Sequence, residues 1–139
     1  MEITANALQT VEANQNVLFT ETPICGNNSI IHRDGSGLVT LRGATRQCRA
    51  LFKIFFSGNI AISEGGTVEP ISIAITQDGE PLASSRMIST PAAVEEFNNV
   101  SSAAFVCVPA GCCMTISVRN INTQSIDIQN ANLIVERIA

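Results

Sequence analysis

One histidine, five cysteines and a few adjacent acids are the residues through which this chain could do chemistry. His32 is the only imidazole, so a histidine-rich metal site is excluded and a Ser-His-Asp triad would have to use this one ring. It stands beside Arg33 and Asp34 at a turn, the place of a solvent-facing or loop-bracing histidine rather than a base. Glu95 and Glu96 are adjacent and diverge, which makes them a solvated loop rather than a paired acid and base. Asp34-Gly35-Ser36-Gly37 resembles the beginning of a calcium loop, but no further acidic ligands follow at the needed spacing. There is no GxGxxG and no phosphate loop. Cys25, Cys48, Cys107, Cys112 and Cys113 do not form paired CxxC zinc knuckles. The turn at Cys112-Cys113 exposes a thiol, yet no neighbouring histidine supports a thiolate and Arg119 is several residues away, so a structural disulfide or a buried thiol is the preferred reading. The expectation is a protein with no catalytic, cofactor or metal site: not an enzyme.

The strand that must organise the rest is Ala50 to Ile62, which carries the longest apolar run. Ala50, Phe52, Ile54 and Phe56 fall on one face, Leu51, Lys53 and Phe55 on the other, and both faces are mostly apolar. A strand with one solvated face alternates strictly, so this one is expected to be covered on both sides. One domain of 139 residues has little left to cover the second face, and a partner subunit is the economical explanation. A hydrophobic fraction of 45% against 14% charged residues points the same way.

Around that strand the chain reads as short strands separated by turns. They are Asn16 to Thr22 with Val17 and Phe19 on one side, Ser29 to His32, Leu38 to Arg42, and a half-buried strand in which Ile71, Ile73 and Ile75 alternate with Ser72, Ala74 and Thr76. Asp78-Gly79 signals a hairpin with a return strand from about Ala83 to Ser89. Ser89 to Glu96 has room for one helical turn. Ser101 to Val108, the strand whose inner face is Met114, Ile116 and Val118, and Ala131 to Ile138 complete the set. Many short strands without intervening helices indicate an all-β antiparallel sandwich or jelly roll, here over residues 16–139, with 1–15 as an extended or attachment segment.

A net charge of -4 with one lysine gives no basic stripe, so nucleic acid is not expected as a partner. No run of about 18 apolar residues and no secretory signal is visible, so neither is a membrane. Five cysteines nevertheless exceed cytosolic usage. A protein made in the cytoplasm without a signal peptide but used outside it, on a virion or a spore or cell surface, reconciles the two facts; reduced structural thiols in a cytosolic protein are the alternative. The absence of Trp and Tyr removes the usual stacking platforms for sugars and leaves a glycan only loops of Asn, Ser and Thr. Asn27 and Asn99 match N-x-S/T, with no signal peptide to support glycosylation.

The long central strand, the hairpin ISIAITQDGEPLASSRMI, the strand-turn-strand VSSAAFVCVPAGCCMTISVRN and the terminal ANLIVERIA resemble the jelly roll of tumour necrosis factor and the complement globular heads. Within that superfamily they are most similar to the BclA-type domains that end bacterial collagen-like surface proteins, and to related small phage structural proteins. No Gly-X-Y tract precedes the domain. The resemblance implies a homotrimer whose inner sheets pack on a threefold axis, with Leu51, Lys53 and Phe55 at the interface, and a structural role as a building block or decoration of a larger particle or appendage. A receptor- or glycan-binding tip is the alternative. The implied topology also brings Cys48 to the end that holds Cys112 and Cys113, making these the intrachain disulfide candidates. It sends Cys25 to the opposite end unless it reaches a neighbouring subunit, and it leaves Cys107 as a small buried apolar residue.

Overall fold

The computed structural model describes residues 1–26 and 28–139; the Asn27 sequon lies outside the described residues. The strands are β1 (Glu2–Ala5), β2 (Gln9–Val11), β3 (Glu21–Ile24), β4 (Ile30–His32), β5 (Val39–Arg42), β6 (Arg49–Ile62), β7 (Ile71–Gln77), β8 (Glu80–Pro81), β9 (Met87–Ser89), β10 (Asn98–Pro109), β11 (Cys113–Asn120) and β12 (Ile126–Arg137). They form two antiparallel sheets. The first has the order β10-β6-β12-β1-β3, with β2 also on β12; the second has the order β4-β5-β11-β7-β8, with β9 also on β7. This is the expected sandwich of two layers closed over one core.

Period-two alternation dictates that core. In β6, Ala50, Phe52, Ile54 and Phe56 point inward and are fully buried. Opposite them lie Val39 and Leu41 of β5, Ile71, Ile73 and Ile75 of β7, and Ile116 and Val118 of β11, all at 1% exposure or less. Phe19 meets Phe56 edge to face, with ring centroids 6.4 Å apart.

Several elements differ from their sequence reading. Residues 2–5 and 9–11 are strands paired with β12, so the first sheet begins at Glu2. Val17 and Phe19 are buried as expected, but they lie on an irregular stretch ahead of β3, held by Val17 N–H to Val118 C=O and Phe19 N–H to Ser36 C=O. Strand β7 is buried on both faces rather than one. Its outer face is small enough to be roofed: the Arg86 guanidinium donates to Ser72 Oγ at 3.2 Å, and Thr76 and Ser117 share a hydroxyl hydrogen bond.

The Asp78-Gly79 hairpin forms with φ of 50° and 87°, the left-handed pair that a two-residue turn requires. Its return arm is β8, a 3-10 turn at Ala83–Ser85 and then β9, not one strand. Ser85 Oγ bonds the Ile75 N–H and the Leu82 carbonyl, supplying the partner that the broken ladder lacks. No helix forms within Ser89 to Glu96, where Glu95 adopts φ of 64°. Strand β12 begins at Ile126, ahead of the expected Ala131, and carries a bulge at Asn130, φ 56°.

Candidate functional site

The outer face of the first sheet is assembled from alternate residues of five strands. In β6 these are Leu51, Lys53 and Phe55, with Lys53 exposed and the other two half-buried. Phe55 lies between Ala103 and Ile134, and Lys53 between Phe105 and Glu136. Glu2 continues the Phe55 row across β1, and Ile24 continues it on β3. Phe105 is 62% exposed, Ile24 59% and Ile134 38%. The three interface candidates therefore do share a face, and it points away from the core. On the outer face of the second sheet, Thr40, Thr115, Ser117 and Arg119 replace apolar residues, leaving Ile31 and Ile88 as its exposed aliphatics. Phe105, Ile24 and Ile134 were not singled out in the sequence. The signal for Phe105 was available: in β10, Val100, Val106 and Val108 are buried while Ser101, Ala103, Phe105 and Cys107 face out.

The thiols gather at one end. Strand β6 starts there with Arg49, and β10 ends there at Pro109, directly opposite. The Pro109-to-Cys112 turn is closed by Cys112 N–H to Pro109 C=O. Cys48 C=O accepts from Ala110 N–H at 3.0 Å, and Cys112 C=O from Gly43 N–H at 2.8 Å. Gly43 fits because a Cβ there would lie 2.1 Å from the Pro109 carbonyl oxygen. Cys48, Cys112 and Cys113 thus share an end, as expected.

Cys25 corrects the reading, because it belongs to that same end. Strand β1 starts at this end and β3 runs antiparallel to it, so β3 finishes there; β1 and β2, both missed in the sequence, run in one direction along β12, and that single pass ahead of β3 inverts the inferred direction. Cys107 is a second correction. It is exposed on the outer face opposite Leu51, because Val106 and Val108 take the inward positions. All five thiols are exposed and unbonded.

Arg42, Arg46, Arg49 and Arg137 accompany the thiols, and Arg137 Nη1 ties two loops together by donating to Ser29 Oγ at 2.9 Å and Ala44 C=O at 2.8 Å. The far end carries Glu12, Glu64, Glu69, Glu95 and Glu96 beside the end of β6 and the start of β12. Glu95 and Glu96 are exposed there.

His32 braces a loop and is not solvent-facing. Its Nε2 donates to Ser36 C=O at 2.9 Å, which puts the ring proton on Nε2, and its ring packs edge-on against Phe19. Asp34 Oδ1 is 3.9 Å from Nδ1 and accepts from Thr22 Oγ1 at 2.7 Å. Among the described residues no three His, Cys, Asp or Glu side chains converge as a metal ion would need. Asn99 is exposed on β10 and donates to Asn59 Oδ1.

A two-sheet antiparallel jelly roll is the class these features define. No family model matches the chain, and no curated protein matches it either. Among solved structures it is similar to the globular domain of zebrafish complement 1qA protein, with a TM-score of 0.65 and 11% identity over 96% of this chain and 93% of that one. It is also similar to the C-terminal domain of EclA, described as a sugar-binding protein, with a TM-score of 0.42 and 16% identity over 95% of this chain and 80% of that one. The jelly roll of the complement globular heads is therefore the fold of this chain.

Proposed function

We propose that this chain is a non-enzymatic structural protein, a homotrimeric jelly-roll block that builds or decorates a virion, a spore or a bacterial surface appendage. The observation that carries the reading is the outer face of the first sheet. Phe55, Leu51, Phe105, Ala103 and Ile134 surround Lys53 on that face, and an exposed apolar face of this kind supports burial against a partner. A second copy is the partner it fits, because Lys53 stands on the same face as Glu2 and Glu136. Light scattering at micromolar concentration should give the mass of three chains. A monodisperse monomer would remove the basis of the proposal. Broad hydrolase profiling of the assembled protein should find no turnover, and turnover lost in His32→Ala would overturn the non-enzymatic reading.

A disulfide from Cys48 to Cys112 or Cys113 belongs to this reading, as a durability device on a particle that works outside the cell. The loop of about 65 residues that it closes is worth roughly 4 kcal/mol in the loop-entropy model. Peptide mapping of oxidised protein without reduction should recover the bridge; Cys48 alkylated as a free thiol in that sample would exclude it.

Recognition of a glycan by loops is the second reading. It is favoured by a polar hollow of about 290 Å³ at the far end, lined among others by Ser63, Glu64, Thr67, Gln124 and Ser125. A glycan array without a hit would count against it.

A further inference from the structure

The outer face of the first sheet carries a knob and a hollow. The knob is Phe105 on the edge strand β10, the most exposed large apolar side chain of the molecule, with the bare ammonium of Lys53 beside it. The hollow, about 350 Å³, is lined by Met1, Glu2, Ile24, Ile134, Val135 and Glu136 on the other side of the same face. It is a shallow depression open to solvent, on which a phenyl ring can lie. Ile24 and Ile134 flank Glu2 in its row, the Glu2 carboxylate accepts from Asn132 Nδ2 at 2.7 Å, and Glu136 lines the side nearer the knob's row. Among the described residues Lys53 makes no ion pair, although Glu136 is its cross-strand neighbour.

Three facts connect the two features. Phe105 cannot fill the hollow of its own chain, because three to four strand spacings, roughly 15–19 Å, separate β10 from β1 and β3. Knob and hollow overlap in height without coinciding: Phe105, Lys53 and Glu136 share a row, Glu136 also lines the hollow, and Ile134, Glu2 and Ile24 form the next row of the same face, about 7 Å along the strands. A rotation about an axis along the strands preserves height, so it carries the knob of one copy to the Glu136 side of the next copy's hollow, one row from Ile24 and Ile134. Such a contact joins two different patches and closes into a ring when the rotation divides the circle.

We infer that Phe105 of each copy seats against Ile24 and Ile134 of the next copy, over the stem of the Glu2 that stands between them, with Lys53 meeting the carboxylates of Glu2 and Glu136 across the contact. This rests on the trimer reading above and specifies its geometry as head-to-tail, an aromatic anchor in an apolar pocket with a charged rim. The alternative for the same face is a symmetric cluster of Phe105 side chains from all copies around the axis.

A charge pair separates the two. Phe105→Asp and Ile24→Arg should each raise the dissociation constant by about 30-fold or more, the size of an interface hot spot, and yield monomers at micromolar concentration. Both side chains are more than half exposed in the single chain, so circular dichroism and melting should stay those of the folded protein. The double variant Phe105→Asp/Ile24→Arg should regain the trimer, because the new carboxylate of one copy then faces the new guanidinium of the next. A double variant that stays monomeric would overturn the head-to-tail seating, as would single variants that remain trimeric. In either case a trimeric wild type leaves the assembly reading standing; a monomeric wild type overturns both.

Discussion

Phe55→Asp is expected to leave a folded monomer, and Phe56→Ala a chain that barely folds, although the two residues are neighbours in β6. Phe55 is half-buried on the outer face, between Ala103 and Ile134. In the isolated chain an aspartate there stays hydrated, and the cost to the sheet is at most about 1 kcal/mol of strand propensity. In the trimer each copy would bury a carboxylate with no partner, at several kcal/mol per site. Light scattering should therefore report a fall from three chains to one, with a melting transition little changed. A Phe55→Asp protein that remains trimeric would place this residue off the interface.

Phe56 faces the other way. Its ring is fully buried, meets Phe19 edge-on and packs against Gly58, where an added Cβ would lie 3.1 Å from the ring. Truncation to alanine removes the ring and leaves a cavity that the closely packed sheets cannot collapse. Such changes cost about 3–5 kcal/mol. Domains of this kind have about 5–15 kcal/mol in total, so most or all of the margin goes. Urea unfolding should show the midpoint falling steeply with the slope unchanged. A loss below about 1 kcal/mol would mean that the face assignment of β6 is inverted.

That assignment was legible in the sequence because β6 is long and its two faces differ in kind: Phe52, Ile54 and Phe56 against a face interrupted by Lys53. The Asp78-Gly79 hairpin was legible for a local reason, the left-handed backbone that this pair tolerates. The N-terminal strands were not. Ile-Thr-Ala and Gln-Thr-Val are too short to show a period, and they are strands only because β12 offers them a ladder more than a hundred residues away. Missing β1 and β2 had a geometric price, since the end at which Cys25 emerges depends on how many times the chain has crossed the sheet before it. The knob at Phe105 was visible as alternation in β10, but the hollow was not. Its walls come from residues at both extremes of the sequence, and only the pairing Glu2 with Ile134 and Ile24 brings them together.

The position of β12 between β6 and β1 bears on how the chain is made. Asn132 donates to Glu2 across 130 residues of sequence, and nothing else can close the free edge of β6 on that side. During synthesis at about 5–20 residues per second, about 4–15 s pass between the emergence of Ile62 and that of Arg137. Through that interval the long apolar strand has at least one edge open, and both until β10 emerges, and contacts so distant in sequence form slowly even afterwards. A nascent chain stalled before Ile126 is therefore a template for strands of other chains. Ribosomes translating this message in close file would set several such edges side by side, which makes the last dozen residues of the sandwich the ones that decide between folding and aggregation.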